Sequence, residues 1–290
     1  MRSREFRQLA ARYRSAGRFA HGFARGKLLG DPAFEYLLSQ GLLARVTAGP
    51  GSAEPRQPTP ERVSPQVSPQ PAAPQPTAAD PVRILDLGCG QALLAALLPA
   101  AAQAHARGAW PASWVAPQAA FHGIELMPAD VERARAALGA AARIELGDIT
   151  ATPLGQADIV VILDVLHYVD HAAQQRVLQR VAQALSPHGG RLLLRVGDAA
   201  GGWRFRASQW VDALVTFVRG HRLGRLYCRP LADWCGMLQE HGFRVRTQRL
   251  SEGTPFANVL LIGELPANTL PAAERPSPTQ FGAPPTNPQA

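Results

Sequence analysis

The chain has 290 residues, 46% of them hydrophobic, with 26 prolines in uneven clusters and a formal charge of +8. That supports one catalytic-size core and leaves much of the chain outside it. Three cysteines (Cys89, Cys228, Cys235) form neither a disulfide framework nor a metal-ligand spacing, and no apolar run is long enough to span a bilayer, so a secreted scaffold, a zinc module and a membrane-spanning protein are all excluded, and the expected location is the cytoplasm.

From Glu5 to Leu28, Phe6, Leu9, Tyr13, Ala16, Ala20 and Phe23 recur at three- and four-residue steps among arginines, the pattern of a basic amphipathic helix. Next, "GDPAFEYLLSQG" offers Asp31 as N-cap, Pro32 in the first helical position and Gly41 as a stop, so a second, short helix is predicted. Residues 1–47 thus read as a basic helical unit. Residues 48–81, rich in Pro, Ala, Gln and Ser without apolar periodicity, read as a disordered or polyproline-like linker, and residues 266–290 as a disordered tail.

Between them the pattern alternates: strand 82–87, helix 91–104, strand 121–125, helix 128–138, strand 142–146, strand 157–163, helix 171–185 and strand 191–196. Runs as apolar as "ADIVVIL" and "RLLLRV" belong in a parallel sheet covered on both faces, so residues 82–265 are predicted to be a doubly wound α/β domain. A helix ended by Gly242 and two strands, "FRVRTQRL" and "FANVLLIGEL", then suit an antiparallel return at the end of the sheet.

The first strand-to-helix turn lies in "ILDLGCGQALLAALL". Such a turn directs backbone N–H groups at a ligand beyond the strand ends, and Gly88 and Gly90 let that ligand approach closely. A dinucleotide fingerprint needs a third glycine where Leu93 stands, and a phosphate loop needs a Gly-Lys-Ser/Thr ending that is missing. What remains is apolar-apolar-Asp-x-Gly-x-Gly.

With that motif, and over roughly residues 82–264, the sequence resembles the class I S-adenosylmethionine-dependent methyltransferases, a family with a Rossmann-like sheet. Four further segments agree in order: "FHGIELMPADVERARAAL", "RIELGDI", "ADIVVILDVLHYV" and "LSPHGGRLLLRVGD". The resemblance implies S-adenosylmethionine as cofactor, with Asp86, Gly88 and Gly90 at its methionyl end, Glu125 on the ribose hydroxyls with Leu126 beside it, Asp148 at the adenine amino group, Ile149 along the ring and Asp164 lining the pocket. A carboxylate accepts two hydrogen bonds from a vicinal diol, and an ammonium favours a nearby negative charge. Two departures stand out. Ala92 replaces the third glycine of Gly-x-Gly-x-Gly, and "RGAWPASWVAPQAA" lengthens the gap before the second strand.

The segment after the fourth strand, "LDVLHYVD", lacks the Pro-Pro-aromatic or Pro-Cys motifs of base and glutamine methyltransferases and resembles the small-molecule branch. There His167 is either a general base or a helix-start histidine bonded to backbone. Residues 1–50 carry +6 and residues 191–249 carry +7, against −3 over 51–190. In this family both basic segments fold over the acceptor site. Residues 198–230 therefore read as a lid with aromatic walls and cations, Trp203, Arg206 and Trp210 joining Tyr168 around a hydrophobic, anionic acceptor of aromatic or acyl type, free or carrier- or lipid-linked. An amphipathic helix with arginines on its wet face is the plainer reading of the same segment. The N-terminal helix reads first as a cap, then as a peripheral membrane anchor or a targeting peptide. "FARGKLLGDPAF", "RLYCRPL" and "GTPFANVLLIGEL" further resemble bacterial methyltransferases of aryl-polyene and related lipid-pigment pathways. A cofactor-binding scaffold without transfer activity and an RNA methyltransferase are the alternatives, and the sequence leaves open whether oxygen, nitrogen or carbon is methylated.

Overall fold

The computed structural model describes residues 2–46, 80–108, 118–185, 189–197, 226–250 and 258–266. Three helices come first: α1 (Arg2–Ala11), α2 (Arg18–Gly30) and α3 (Pro32–Ser39). The single helix predicted over Glu5–Leu28 is therefore two. A 3-10 turn at Arg12–Arg14 follows α1, and Gly17 then takes φ +101°, a backbone that side-chain-bearing residues rarely adopt. The chain reverses there and packs α2 on α1. The predicted start of α3 holds, since the Asp31 carboxylate accepts from the Ala33 N–H at 2.9 Å with Pro32 in the first turn. Its stop holds as well: Gly41 sits at φ +61°, and the Leu42 N–H reaches back to the Leu37 carbonyl.

The α/β part consists of β1 (Val82–Leu87), α4 (Leu93–Ala106), β2 (Ala119–Glu125), α5 (Pro128–Leu138), β3 (Arg143–Leu146), β4 (Ile159–Leu163), α6 (His171–Ala184), β5 (Gly190–Gly197), α7 (Leu231–Glu240), β6 (Arg244–Arg249) and β7 (Asn258–Leu265). The seven strands form one sheet in the order β3-β2-β1-β4-β5-β7-β6. The first five run parallel, and β7 pairs antiparallel with both β5 and β6. This is the doubly wound sheet with an antiparallel return that the sequence predicts. The strand order reverses direction at β1, beside β4, which opens a crevice at the carboxyl ends of those strands.

Alternate residues of the central strands enter different cores, as the two-residue period of a strand requires. Ile84, Val161, Leu193 and Leu260 face a layer made by α1 to α5. Leu85, Val160, Leu194 and Leu261 face α6 and α7. The N-terminal helices are thus part of the layer over one sheet face: Phe6, Leu9, Tyr13, Leu28, Phe34 and Leu37 are buried in the same core as α4.

Strand β5 fastens that layer at both ends. Arg191 and Arg195, four residues apart, point to the same side as Leu193. At one end the Arg191 guanidinium donates to the Leu42 and Ala44 carbonyls at 2.8 and 3.1 Å and pairs with Glu264. Arg195 does the corresponding work at the other end, beside the crevice.

Candidate functional site

The turn after β1 places three residues in the left-handed region: Gly88 at φ +72°, Gly90 at +56° and Ala92 at +54°. The first is a matter of space as well as backbone. The Gly88 and Cys89 N–H groups both donate to the Ile124 carbonyl, and a Cβ on Gly88 would lie 2.4 Å from Val165 Cγ2. At Gly90 the reverse holds, because a Cβ there would meet nothing within 4 Å, so this peptide faces open space. Ala92 is fully buried, donates its N–H to the Cys89 carbonyl and precedes the first residue of α4. The methyl that replaces the expected third glycine is therefore accommodated in a left-handed conformation that costs an ordinary L-residue about 1–2 kcal/mol.

Two acidic residues converge behind the turn. Glu125, the last residue of β2, accepts from the Gly90 N–H at 2.7 Å through Oε2 and from the Met127 N–H at 2.9 Å through Oε1. Asp86 is buried and makes no ion pair with a described residue. Burial, reinforced by the negative charge of Glu125, pushes its pKa up to about 8. Two carboxylates in a crevice, with no facing cation among the described residues, are the electrostatic complement of a cationic ligand.

Further along the same edge, Leu126 and Leu146 are 60% and 51% exposed, although they end or follow adjoining strands. With Tyr168 they make three of the five large apolar side chains that are exposed among the described residues. Ile149 is buried, and its carbonyl accepts from Arg180 at 2.7 Å. Asp148 is exposed, with Oδ1 accepting from the Thr150 N–H at 2.8 Å. The edge from Gly88 to Ile149 thus offers backbone N–H groups, then carboxylates, then an apolar floor with a further carboxylate at its rim.

On the other side of the crevice lies a cluster that the sequence reading misses. Asp164 follows β4 at φ +62° and gives both oxygens to Arg195: Nε meets Oδ1 at 2.8 Å and Nη2 meets Oδ2. Arg195 also binds Asp31 in a two-pronged pair at 2.6 and 2.8 Å. Lys27, the only lysine in the chain, bridges Asp31 at 3.0 Å and Asp164 at 3.3 Å. Burial opposes the charged forms of Asp31 and Asp164, but Arg195 and Lys27 outweigh it and hold both carboxyls below their ordinary range. Asp164 is accordingly engaged with the α2–α3 corner. The only sequence signals for this cluster are the solitary lysine and two arginines on one face of an otherwise apolar strand.

His167 sits in a 3-10 turn at Leu166–Tyr168, its ring 4.1 Å from that of Tyr168. Nε2 is buried without a hydrogen-bond partner among the described residues, and burial depresses the imidazole pKa, an effect that the Asp164 charge partly offsets. The turn is held from behind. Gln174 Nε2 donates to the carbonyls of Leu166, Val169 and Tyr227, its Oε1 accepts from Arg229, and the Tyr227 N–H donates to the His167 carbonyl. Gln174 is a second residue that sequence reasoning passes over, since an amide inside an amphipathic helix gives no signal. Trp203, Arg206 and Trp210 lie outside the described residues.

Among known proteins, a family model described as "Methyltransferase domain" matches residues 55–248, more than half of the chain. No curated protein sequence matches the chain. Among solved structures, an O-methyltransferase family protein from Burkholderia thailandensis is 18% identical with a TM-score of 0.52, over 88% of this chain and 62% of its own. The mitomycin 7-O-methyltransferase is 27% identical at a TM-score of 0.44, over 63% of this chain and 49% of its own. A magnesium protoporphyrin IX methyltransferase from Synechocystis, solved with S-adenosylhomocysteine, is 20% identical at 0.44, over 64% and 74%. The chain therefore spans less than two-thirds of the length of the first two of these.

Proposed function

We propose, from the premise that the chain belongs to the methyltransferase-domain family, that it transfers a methyl group from S-adenosylmethionine to the hydroxyl oxygen of a small hydrophobic acceptor. The observation that carries this reading is the pair of carboxylates, Asp86 and Glu125, set behind a left-handed turn with open space at Gly90 and no facing cation among the described residues. When bound, the cofactor supplies an electrophilic methyl group on a sulfonium, and the ammonium at its methionyl end gives Asp86 its missing counter-ion.

Each residue then has a task suited to its surroundings. Glu125 keeps a free lone pair on each oxygen after accepting from Gly90 and Met127, enough to receive a ribose diol. Leu126 and Ile149 flank an adenine ring, and Asp148 accepts from its amino group. The exposed Leu126 and Leu146 side chains support this, because each leaves more than half of its surface uncovered at this edge. Asp164 shapes the crevice wall through Arg195.

His167 serves as general base. Its depressed pKa keeps the imidazole neutral, and the unpartnered Nε2 can accept the proton of a hydroxyl as its oxygen attacks. Tyr168 supplies an apolar surface beside it. The anionic character of the acceptor, an aromatic or acyl carboxylate, rests on Trp203, Arg206, Trp210 and their arginine neighbours in the sequence.

Calorimetric titration with S-adenosylmethionine, with NADH as control, tests the cofactor. Transfer of labelled methyl to a panel of hydroxylated aromatic and acyl carboxylates then tests the reaction. His167→Ala is expected to keep cofactor affinity within about twofold and to lose roughly 10²-fold or more in transfer. Tight binding without transfer to any acceptor would instead favour a non-catalytic protein.

A further inference from the structure

The Tyr13 hydroxyl donates to the Gln91 carbonyl at 2.9 Å, a buried bond across 78 residues. That oxygen belongs to the peptide joining Gln91 to Ala92, so its direction is set by ψ of Gln91 and φ of Ala92 together. Ala92 is the position where a side-chain-bearing residue occupies left-handed backbone inside the ligand turn. Rotation of this peptide would let Ala92 relax toward the conformation that L-residues prefer and would carry the Ala92 amide out of place.

We infer that Tyr13 is a positioning residue of the cofactor turn: its hydroxyl holds the Gln91–Ala92 peptide in the orientation that lets alanine stand where glycine is expected. The N-terminal unit is built to hold that hydroxyl still. Tyr13 lies in the 3-10 turn between α1 and α2, is fully buried, and is flanked by Ser15, whose hydroxyl donates to the Ala136 carbonyl of α5. From the other side, Gln91 Nε2 donates to Asp130 near the start of α5, fixing the residue at both its side chain and its carbonyl. Burial raises the phenol pKa, so Tyr13 remains a donor at any working pH. The Ala92 N–H is tied to Cys89 within the turn, so among the described residues the Tyr13 hydroxyl is what holds the carbonyl of this peptide from outside the turn.

The inference rests on this turn being the cofactor turn, and two readouts on four proteins separate the two claims. Wild type, Tyr13→Phe, Ala92→Gly and the double variant are titrated with S-adenosylhomocysteine, and amide hydrogen exchange is followed at residues 89–93 without ligand. Loss of one buried hydrogen bond predicts that Tyr13→Phe weakens binding about fivefold and speeds exchange in the turn by a similar factor. In the Ala92→Gly background, where left-handed backbone carries no penalty, the same change should cost less than about twofold. Equal losses in both backgrounds, or faster exchange throughout the chain, would reduce Tyr13 to a packing residue and overturn the inference. Failure of wild type to bind would refute the cofactor reading, while the exchange data would still decide the role of Tyr13.

Discussion

The proposed place of Asp86 at the cationic end of the ligand would make cofactor binding a proton-linked event. Burial and the Glu125 charge raise its pKa to about 8 in the ligand-free protein, so the carboxyl is largely protonated at pH 7 and must lose its proton to meet a cation. A ligand cation that requires the carboxylate form should therefore release roughly one proton on binding at pH 7. Apparent affinity should rise by up to about tenfold per pH unit between about pH 6 and 8, and level off above. The same group governs the empty fold. Unfolded Asp86 titrates near its ordinary 3.8, so the native state retains a proton that the unfolded state has lost, and stability falls as pH rises from there to about 8. Titration of S-adenosylmethionine in phosphate and in Tris at matched pH counts the protons through the difference in heat, and Asp86→Asn should abolish that difference. Identical heats in the two buffers, with affinity flat across this range, would refute the assignment of Asp86 to the cationic end of the ligand.

Two further perturbations probe the frame of the crevice. Arg195→Met leaves the largely covered Asp31 and the partly exposed Asp164 with Lys27 alone to face them among the described residues, and should cost roughly 2–3 kcal/mol in urea unfolding at neutral pH. Because both carboxyls have lowered pKa values in the fold, their contribution is present above about pH 4 and lost as pH falls below it, so wild type and variant should converge in acid. A neutral-pH difference under about 0.5 kcal/mol would show the cluster to be surface-like. Gly88→Ala combines a left-handed backbone with a Cβ 2.4 Å from Val165 and should cost about 2–4 kcal/mol. Adding Val165→Ala should recover the steric share alone, and full recovery would mean that the backbone conformation carries no penalty.

The frame of this molecule is legible in sequence because burial on both faces writes continuous apolar runs. Strands such as "ADIVVIL" are recognisable from that alone, and the turn after β1 announces itself by glycines behind an aspartate. Local chemistry is equally readable: Asp31, Pro32 and Gly41 bound α3 as their types suggest. The break at Gly17 is harder to read, since the apolar spacing continues through it and only the backbone angle shows the reversal. Least legible are Lys27, Asp31 and Arg195, whose pairing depends on which distant strand lies beside which helix. No local pattern encodes that choice.

The bond from Asp31 to Arg195 spans 164 residues and that from Leu42 to Arg191 spans 149, so these helices are made long before the strand that fastens them. At about 5–20 residues per second, roughly 8–30 s separate the synthesis of Asp31 from that of Arg195. During that interval the layer of Phe6, Leu9, Leu28 and Leu37 lacks the strand whose two arginines fasten it. Closure of this early layer therefore waits on a late strand. A mutation in β5 should accordingly be felt first as a loss of yield during expression and only afterwards as a loss of stability in the purified protein.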